Sequence, residues 1–362
     1  MPVKDLHATK FDEGTLAKLE LFQNYLEEWL PVFIHSPGSS SINIIDFFAG
    51  AGTDVEGTPG SPLLILNTIE KHVSTLSQAG LSINLIFNDF EEEKYQSLTE
   101  VVNDKLVNNP NLQAVVHVDF YNEDFEKVFY KLAPIISKGP NLIFIDQNGI
   151  KHVRKKVLKS LDSLNRTDFL FFISSSYFLR FDFETYFPDL KRTINLDKPA
   201  NIHREILGYY RSLLPSGSEL KLYPFTIKKS GGYYGLIFGS KHCLGVQKFL
   251  GVCWKKNKVN GEANFDIDDD YKCRQLNLFG EKKISKIEQF YQDLSCFVVE
   301  TGEVTNQDVL AFTLARGFEP KQAAVTLRKM RDNKIIEHFS HPKIGCEQVY
   351  KKKEIVNFRR RH

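Results

Sequence analysis

The chain has little sulfur and little tryptophan: its 362 residues include two Met, two Trp and five Cys. Cys243, Cys253, Cys273, Cys296 and Cys346 show no Cys-x-x-Cys spacing, so neither a zinc knuckle nor a disulfide framework is suggested, and reduced thiols are expected. No apolar run approaches the ~20 residues of a membrane-crossing helix, and the amino terminus lacks the apolar core of a secretory signal. A cytoplasmic protein is therefore expected. Disorder-prone composition is missing as well, since 42% hydrophobic and 25% charged residues are ordinary for a globular chain. The length suggests two domains. A net charge of +2 hides an asymmetry: from Arg274 to His362, 17 Lys and Arg stand against 11 Asp and Glu, leaving 30 against 34 in residues 1–273. A single lysine is commonly just solvated surface, but a basic terminal module often meets phosphate.

What is present is a strand-and-turn pattern around residues 42–62. The apolar run Ile42–Phe48 has the length of a buried strand and ends in Ala49-Gly50-Ala51-Gly52, where small residues let backbone approach a bulky ligand. In open α/β sheets such ligands sit beyond the carboxyl ends of the strands. Before this strand, the apolar spacing over Thr15–Leu30 predicts a helix ended by Pro31. After it, a helix is expected over Leu63–Leu76, strands over Leu81–Phe87, Ala114–Val118, Leu142–Ile145 and Phe169–Ile173, and helices between them. This alternation predicts a parallel sheet covered on both faces. Asp46, Asp89, Asp119 and Asp146 follow successive strands. One such aspartate is commonly a helix cap, but four along one edge point to a ligand pocket. Glu219–Ile227 and Tyr233–Phe238, joined through Ser230-Gly231-Gly232, read as an antiparallel hairpin. The aromatic and charged stretch 177–224 is expected to be a helical insertion, with His203 and Arg204 as candidates for substrate contact.

The polar stretch Lys255–Lys272 reads as a linker; its acidic run Asp266 to Asp270 lacks the glycine and closing glutamate of a calcium loop. The expected domains are 1–254, a linker over 255–283, and 284–362. The last contains helices from Ile284 to Val299, from an Asn306 cap to Arg316 and from Pro320 to about Asn333. Short strands are expected at Ile335–Phe339 and Gln348–Tyr350. Three helices and a hairpin suggest a winged helix. Lys321, Arg328, Lys329, Arg331 and Lys334 then form its nucleic-acid-binding candidates, for DNA or RNA. A winged helix used for protein contact fits the same pattern.

The run Asp46-Phe47-Phe48-Ala49-Gly50-Ala51-Gly52 followed by Gly60-Ser61-Pro62 resembles the three-Cys-motif partner protein family, TcmP. That resemblance implies a Rossmann-like class I methyltransferase sheet, closed by an antiparallel hairpin, and S-adenosylmethionine as cofactor. It would place Gly50 and Gly52 beneath the cofactor, Asp46 near its amino group, Asp89 on its ribose hydroxyls and Asp119 at its adenine. Asp146-Gln147-Asn148-Gly149 stands where amino-methyltransferases carry Asp/Asn-Pro-Pro-aromatic, so Asp146 is the first catalytic candidate. Both prolines and the aromatic are missing, and of the family's Asp-Pro-aromatic-Gly only Asp146 and Gly149 remain, which argues against standard base N-methylation. His242, in a Ser-Lys-His step after the closing strand, is the second candidate. Lys18 stands where the family has a lysine, although an exposed lysine is what the residue pattern itself suggests. The resemblance further implies a radical-enzyme-like three-Cys-motif protein as partner, in a phage, mobile-element or defence context.

Gln275, Leu276, Leu278 and Phe279 form a Gln-Leu-x-Leu-Phe sequence that resembles the peptide by which bacterial proteins dock on the sliding clamp. An interdomain strand burying Leu276, Leu278 and Phe279 is the competing reading. Two functions stay open: a methyltransferase delivered to nucleic acid, and a non-catalytic scaffold of the same fold that binds DNA and partner proteins. A magnesium nuclease built on the four aspartates is disfavoured by their separate strands and the missing Glu-x-Lys pattern.

Overall fold

A computed structural model describes residues 9–36, 41–136, 139–147, 149–174, 201–229, 232–270 and 284–361. The chain divides into two compact units, Met1–Lys241 and His242–His362. The first therefore ends ahead of residue 254. The clamp-like peptide and residues 177–200 of the expected insertion lie outside the described residues.

In the first unit the elements run α1 (Glu13–Ile34), β1 (Ser41–Asp46), α2 (Ser61–Glu70), α3 (Val73–Ala79), β2 (Ser82–Asn88), α4 (Glu92–Val107) and the single turn α5 (Pro110–Gln113). There follow β3 (Val116–Tyr121), α6 (Phe125–Ile136), β4 (Asn141–Ile145), α7 (Lys155–Ser163), β5 (Thr167–Ser174), α8 (Ile202–Ser212), β6 (Lys221–Lys229) and β7 (Gly232–Ser240). The sheet has seven strands in the order β3-β2-β1-β4-β5-β7-β6. The five strands β1 to β5 are mutually parallel, whereas β7 is antiparallel to both β5 and β6. The mostly parallel sheet with a closing antiparallel hairpin is thus present. The chain leaves β1 to one side for β2 and returns on the other side for β4, which makes the carboxyl end of β1 the switch point of the sheet.

Three local expectations change. Pro31 does not end α1; it sits in the last turn, and the helix runs on to Ile34. The helix expected over Leu63–Leu76 breaks after Glu70 and resumes at Val73. Strand β3 begins two residues late, because Pro110–Gln113 turn helically first, so it ends at Tyr121 and not at Asp119.

Helix α1 covers one face of the sheet, with Phe22 stacked on Phe144 of β4 at 4.3 Å and Tyr25 edge-on to Phe238 of β7 at 4.9 Å. The Tyr25 hydroxyl donates to Asp168 Oδ2 at 2.7 Å, and burial beside that carboxylate holds the phenol well above its ordinary pKa. The opposite face is an apolar core in which Ile45, Ile143, Ile145 and Ile173 meet residues of α6, α7 and α8. At the amino edge on this face, Asn84 Nδ2 donates to Asn43 Oδ1 and Asn43 Nδ2 to Asn141 Oδ1, both at 2.8 Å. Asn141 Nδ2 reaches Thr167 Oγ1 at 2.8 Å. All four residues are register partners, so the amides form a ladder across β2, β1, β4 and β5.

The second unit opens with α9 (Cys243–Lys256), then α10 (Lys286–Thr301), β8 (Glu303–Thr305), α11 (Asn306–Ala315), α12 (Pro320–Asp332) and β9 (Asn357–Arg359). Helix α9 belongs here because the Trp254 indole donates to the Gly317 carbonyl at 2.8 Å and Gln247 Oε1 accepts from the Cys346 N–H at 2.8 Å. Residues 257–270 are not a featureless linker. Asn257 Nδ2 donates to the Ala263 and Phe265 carbonyls, while Lys286 Nζ holds the Asn260 carbonyl at 2.6 Å and Glu262 at 2.9 Å. Thr305, not Asn306, caps α11, in a reciprocal box with Asp308. The expected strand Gln348–Tyr350 is part of a π-helical turn, Glu347–Lys351. Val349 alone of that turn is buried, a pattern that strand and turn share. The strand that pairs with β8 is β9, and Ile336 joins it through a bridge to Arg360.

Candidate functional site

The turn after β1 is built by glycine conformation. Gly50 has φ +65° and Gly52 φ +86°, in the left-handed region that favours glycine. The loop then closes on itself, with the Gly60 N–H donating to the Gly52 carbonyl at 2.8 Å. A Cβ on Gly60 would stand 3.0 Å from that oxygen, so a side chain there would push the loop open. Asp54 organises the tip by accepting from the N–H groups of Phe11, Glu56 and Thr58 at 2.8–2.9 Å. Burial works against its ionisation, but those donors prevail and bring its pKa down to about 2.

Around this turn, Asp46, Asp89 and Asp146 come from adjacent strands and lie on the α1 side of the carboxyl edge. Asp46 is fully buried; its Oδ2 accepts from Ser61 Oγ at 2.6 Å and its Oδ1 from the Phe48 N–H at 3.1 Å. Burial raises its pKa to about 7 despite these donors, and the charges of Asp146 and Asp89 add to the effect. Asp89 Oδ2 accepts from the Gly50 N–H at 2.9 Å and Oδ1 from the Glu91 N–H at 3.0 Å. Burial raises its pKa too, in part against those two bonds.

Asp146 forms an ion pair with Lys18 of α1. Lys18 is 4% exposed and its ammonium lies 4.8 Å above the Phe172 ring, so the exposed lysine suggested by the residue pattern is a buried partner of the site. Its sequence signal was position: Lys18 stands four residues before Phe22 and seven before Tyr25, inside the stripe α1 turns to the sheet. Gln147, where an amino-methyltransferase has proline, is fully buried. Its Nε2 donates to the Phe172 carbonyl at 3.1 Å and its Oε1 accepts from the His152 N–H at 2.8 Å. Asn148 lies outside the described residues, and Gly149 has φ +119°.

Two candidates are elsewhere. Asp119 is register partner to Ile86, three residues short of Asp89, is exposed, and is on the face that Ile86 turns to the α6 side. The residue level with Asp89 is Asn122, whose Nδ2 donates to the Asp89 carbonyl at 2.9 Å. His242 follows β7, which runs antiparallel and ends at the edge where the parallel strands begin. It is exposed, and its Nδ1 accepts from the Leu244 N–H at 3.2 Å as the N-cap of α9. His203 is buried with its ring against Gly235, and burial brings its pKa down to about 3.

In the second unit, Lys321, Arg328, Lys329 and Lys334 are exposed. Lys321 pairs with Glu319 at 2.5 Å and Lys329 lies 5.2 Å over the Tyr291 ring. Arg331 instead braces its own unit, donating to Asp332 Oδ1 at 2.9 Å and to the Phe339 carbonyl at 3.1 Å. Among the described residues no cluster of three or more His, Cys, Asp or Glu is placed to hold a metal ion. No described helix is long and apolar enough to cross a membrane.

Among solved structures, the chain is similar to the protein of the crystal structure of DszA carbon methyltransferase, with a TM-score of 0.34 and 11% identity. The match covers 64% of this chain and 55% of that protein, so it spans about half of that protein's length. No protein-family model and no curated protein matches the chain. A likeness this distant says nothing of function, which rests on the geometry above.

Proposed function

We propose that the first unit is a class I methyltransferase-like domain that binds S-adenosylmethionine at the carboxyl edge of its sheet and transfers the methyl group. The observation that carries this reading is the Gly50–Asp89 hydrogen bond, which joins the glycine turn after β1 to the carboxylate after β2 at the switch point of the sheet. Each Asp89 oxygen keeps a lone pair for a ribose hydroxyl. The donor set fits the ligand: a sulfonium and an ammonium group are cations, and the Gly50–Gly52 turn is surrounded by three carboxylates. Asn122 replaces Asp119 as the polar residue at the end of β3. The antiparallel β7 favours this cofactor over a nicotinamide dinucleotide.

Transfer of a methyl group depends mainly on holding acceptor and donor in line, worth several kcal/mol. In this reading the second unit supplies part of that positioning by binding nucleic acid. Its order of helix, strand, two helices, a bridged residue, a long loop and a last strand supports a winged helix, with Arg328, Lys329 and Lys334 exposed on or next to α12. The resemblance to the TcmP family adds a three-Cys-motif protein as partner, which co-purification of the two chains would test.

Titration calorimetry of the full chain with S-adenosylmethionine and S-adenosylhomocysteine tests the cofactor. Micromolar binding is expected, weakened at least tenfold, about 1.4 kcal/mol, in Asp89→Ala. No heat with either ligand from a folded sample would leave the scaffold reading. That alternative has its own support, since Lys18 already neutralises Asp146 and backbone groups occupy both ends of the Gln147 amide.

A further inference from the structure

We infer that the methyl acceptor is a hydroxyl, the ribose 2′-hydroxyl of RNA, held by the Lys18–Asp146 ion pair and the stacked rings of Phe172 and Tyr234. This rests on the cofactor reading above and names the acceptor side of the same site. An amine acceptor needs hydrogen-bond acceptors for its N–H groups, and it becomes cationic as it is methylated. The position after β4 offers the reverse. Asp146 is committed to Lys18, the Gln147 amide is consumed by the Phe172 carbonyl and the His152 N–H, and a buried ammonium stands beside the place of transfer. That ammonium disfavours a developing cation and stabilises a developing oxyanion.

The chemistry balances with water as the final proton acceptor. An acceptor lone pair forms the new O–CH3 bond as the S–CH3 bond breaks and its electron pair returns to sulfur, leaving a neutral thioether. The hydroxyl proton passes to water, and Asp146 stays ionised beside Lys18.

The neighbouring strands supply the aromatic surface that the tetrapeptide lacks. Phe172, near the end of β5, and Tyr234, near the start of β7, stack with ring centroids 5.7 Å apart and planes 12° apart. Both are half-buried and lie on the α1 side with Asp146. Lys18 stands 4.8 Å over one ring and Lys229 4.2 Å over the other; Asp12 holds Lys229 at 2.7 Å. Cations over an aromatic pair suit a base that stacks and a phosphate beside it. The positive balance of residues 274–362 suits a polyanion as well. Of the two nucleic acids, RNA alone carries a hydroxyl on every nucleotide.

The test uses the full chain, S-adenosylmethionine labelled in the methyl group, and two oligonucleotides of one mixed sequence, one RNA and one DNA. Digestion to nucleosides locates the label. Label on the ribose 2′-oxygen of RNA, with none in DNA, is expected. Transfer should fall at least about 100-fold in Lys18→Met, with partial recovery in Lys18→Arg. Calorimetry should still show cofactor binding in both, and fluorescence anisotropy on the cofactor-free protein should show weaker binding to RNA but not to DNA in Lys18→Met. If Lys18→Met does not fold, Lys18→Met/Asp146→Asn removes both charges together and replaces it. Label on a base, label in DNA, no label in RNA although the cofactor binds, or undiminished transfer without Lys18 would each overturn the inference. Absence of cofactor binding by the wild-type chain would remove the earlier reading and this one with it.

Discussion

At the amino edge of the sheet, Asn84, Asn43, Asn141 and Thr167 stand at one level across four strands and satisfy one another in series. At the carboxyl edge, Asp46, Asp89 and Asp146 stand on adjacent strands of the same sheet, and their charges oppose one another. Strands β2, β1 and β4 thus carry polar residues at both ends, with opposite energetics. Neutral amides, each able to donate and accept, close a buried network and fix the register. Carboxylates can only accept while ionised, so they depend on Ser61, on backbone N–H groups and on Lys18, and Asp46 still titrates near pH 7. One edge stabilises the fold; the other holds unfavourable electrostatics that a cationic ligand would relieve. Such an edge is where a ligand site is expected.

Asp46 offers the largest expected effect that sharpens this contrast. Its folded pKa, about 7, lies above the ordinary carboxylate value of 3.8, so the folded state holds a proton that the unfolded state releases between those values. Its contribution is therefore complete below about pH 4 and is lost as pH rises through 7, by on the order of 4 kcal/mol. Asp46→Asn should remove that slope. His152 and His203, lowered to about 4 and about 3, titrate over the same range with the opposite sign, so the effect is read as the difference between variant and wild type. Urea unfolding from pH 4 to 8 checks it; parallel pH profiles would show that Asp46 is not strained. A cationic ligand should also lower the Asp46 pKa and release a fraction of a proton near pH 7, visible when calorimetry is repeated in buffers of different ionisation enthalpy.

The other edge breaks differently. Asn141→Ala removes donors to the Ile136 and Gly139 carbonyls and to Thr167, and leaves the buried Asn43 Nδ2 without its acceptor. A loss of about 3 kcal/mol is expected, because buried groups stranded in this way bear their full desolvation cost. It should be the same at pH 5 and pH 8, since no ladder residue titrates. A pH-dependent loss would show that the two edges are coupled.

How much of this was legible depends on whether the informative residue lay inside or outside a periodic pattern. The parallel strands, the closing hairpin and the glycine turn follow from apolar runs and small residues, which act locally. Asp119 was misplaced because Ala114–Val118 and Val116–Tyr121 are equally good strands until the turn at Pro110–Gln113 consumes the start. Lys18 was hidden in plain sequence: its hydropathy argued exposure, while its place in the α1 stripe argued burial, and only the carboxylate of Asp146, far along the chain, decides between them. The ladder left a trace too, in the parallel tetrapeptides Ser41-Ile42-Asn43-Ile44 and Ser82-Ile83-Asn84-Leu85. Pairing between strands cannot be read from either one alone. His242 failed for a topological reason, since an antiparallel last strand delivers its end to the wrong edge.

The smallest expected effect tests whether burial, and not the count of hydrogen bonds, sets the cost along the ladder. Asn84 is its outer member, half-buried, and gives one bond to Asn43 Oδ1 at 2.8 Å. In Asn84→Ala, water can reach the vacated side and replace the donor, so the loss should be about 1 kcal/mol, the ordinary net worth of one such bond. Chemical denaturation of Asn84→Ala beside Asn141→Ala gives the comparison directly. A loss as large as that of Asn141→Ala would mean that the ladder acts as one cooperative chain, in which the removal of any single member is felt by all the others.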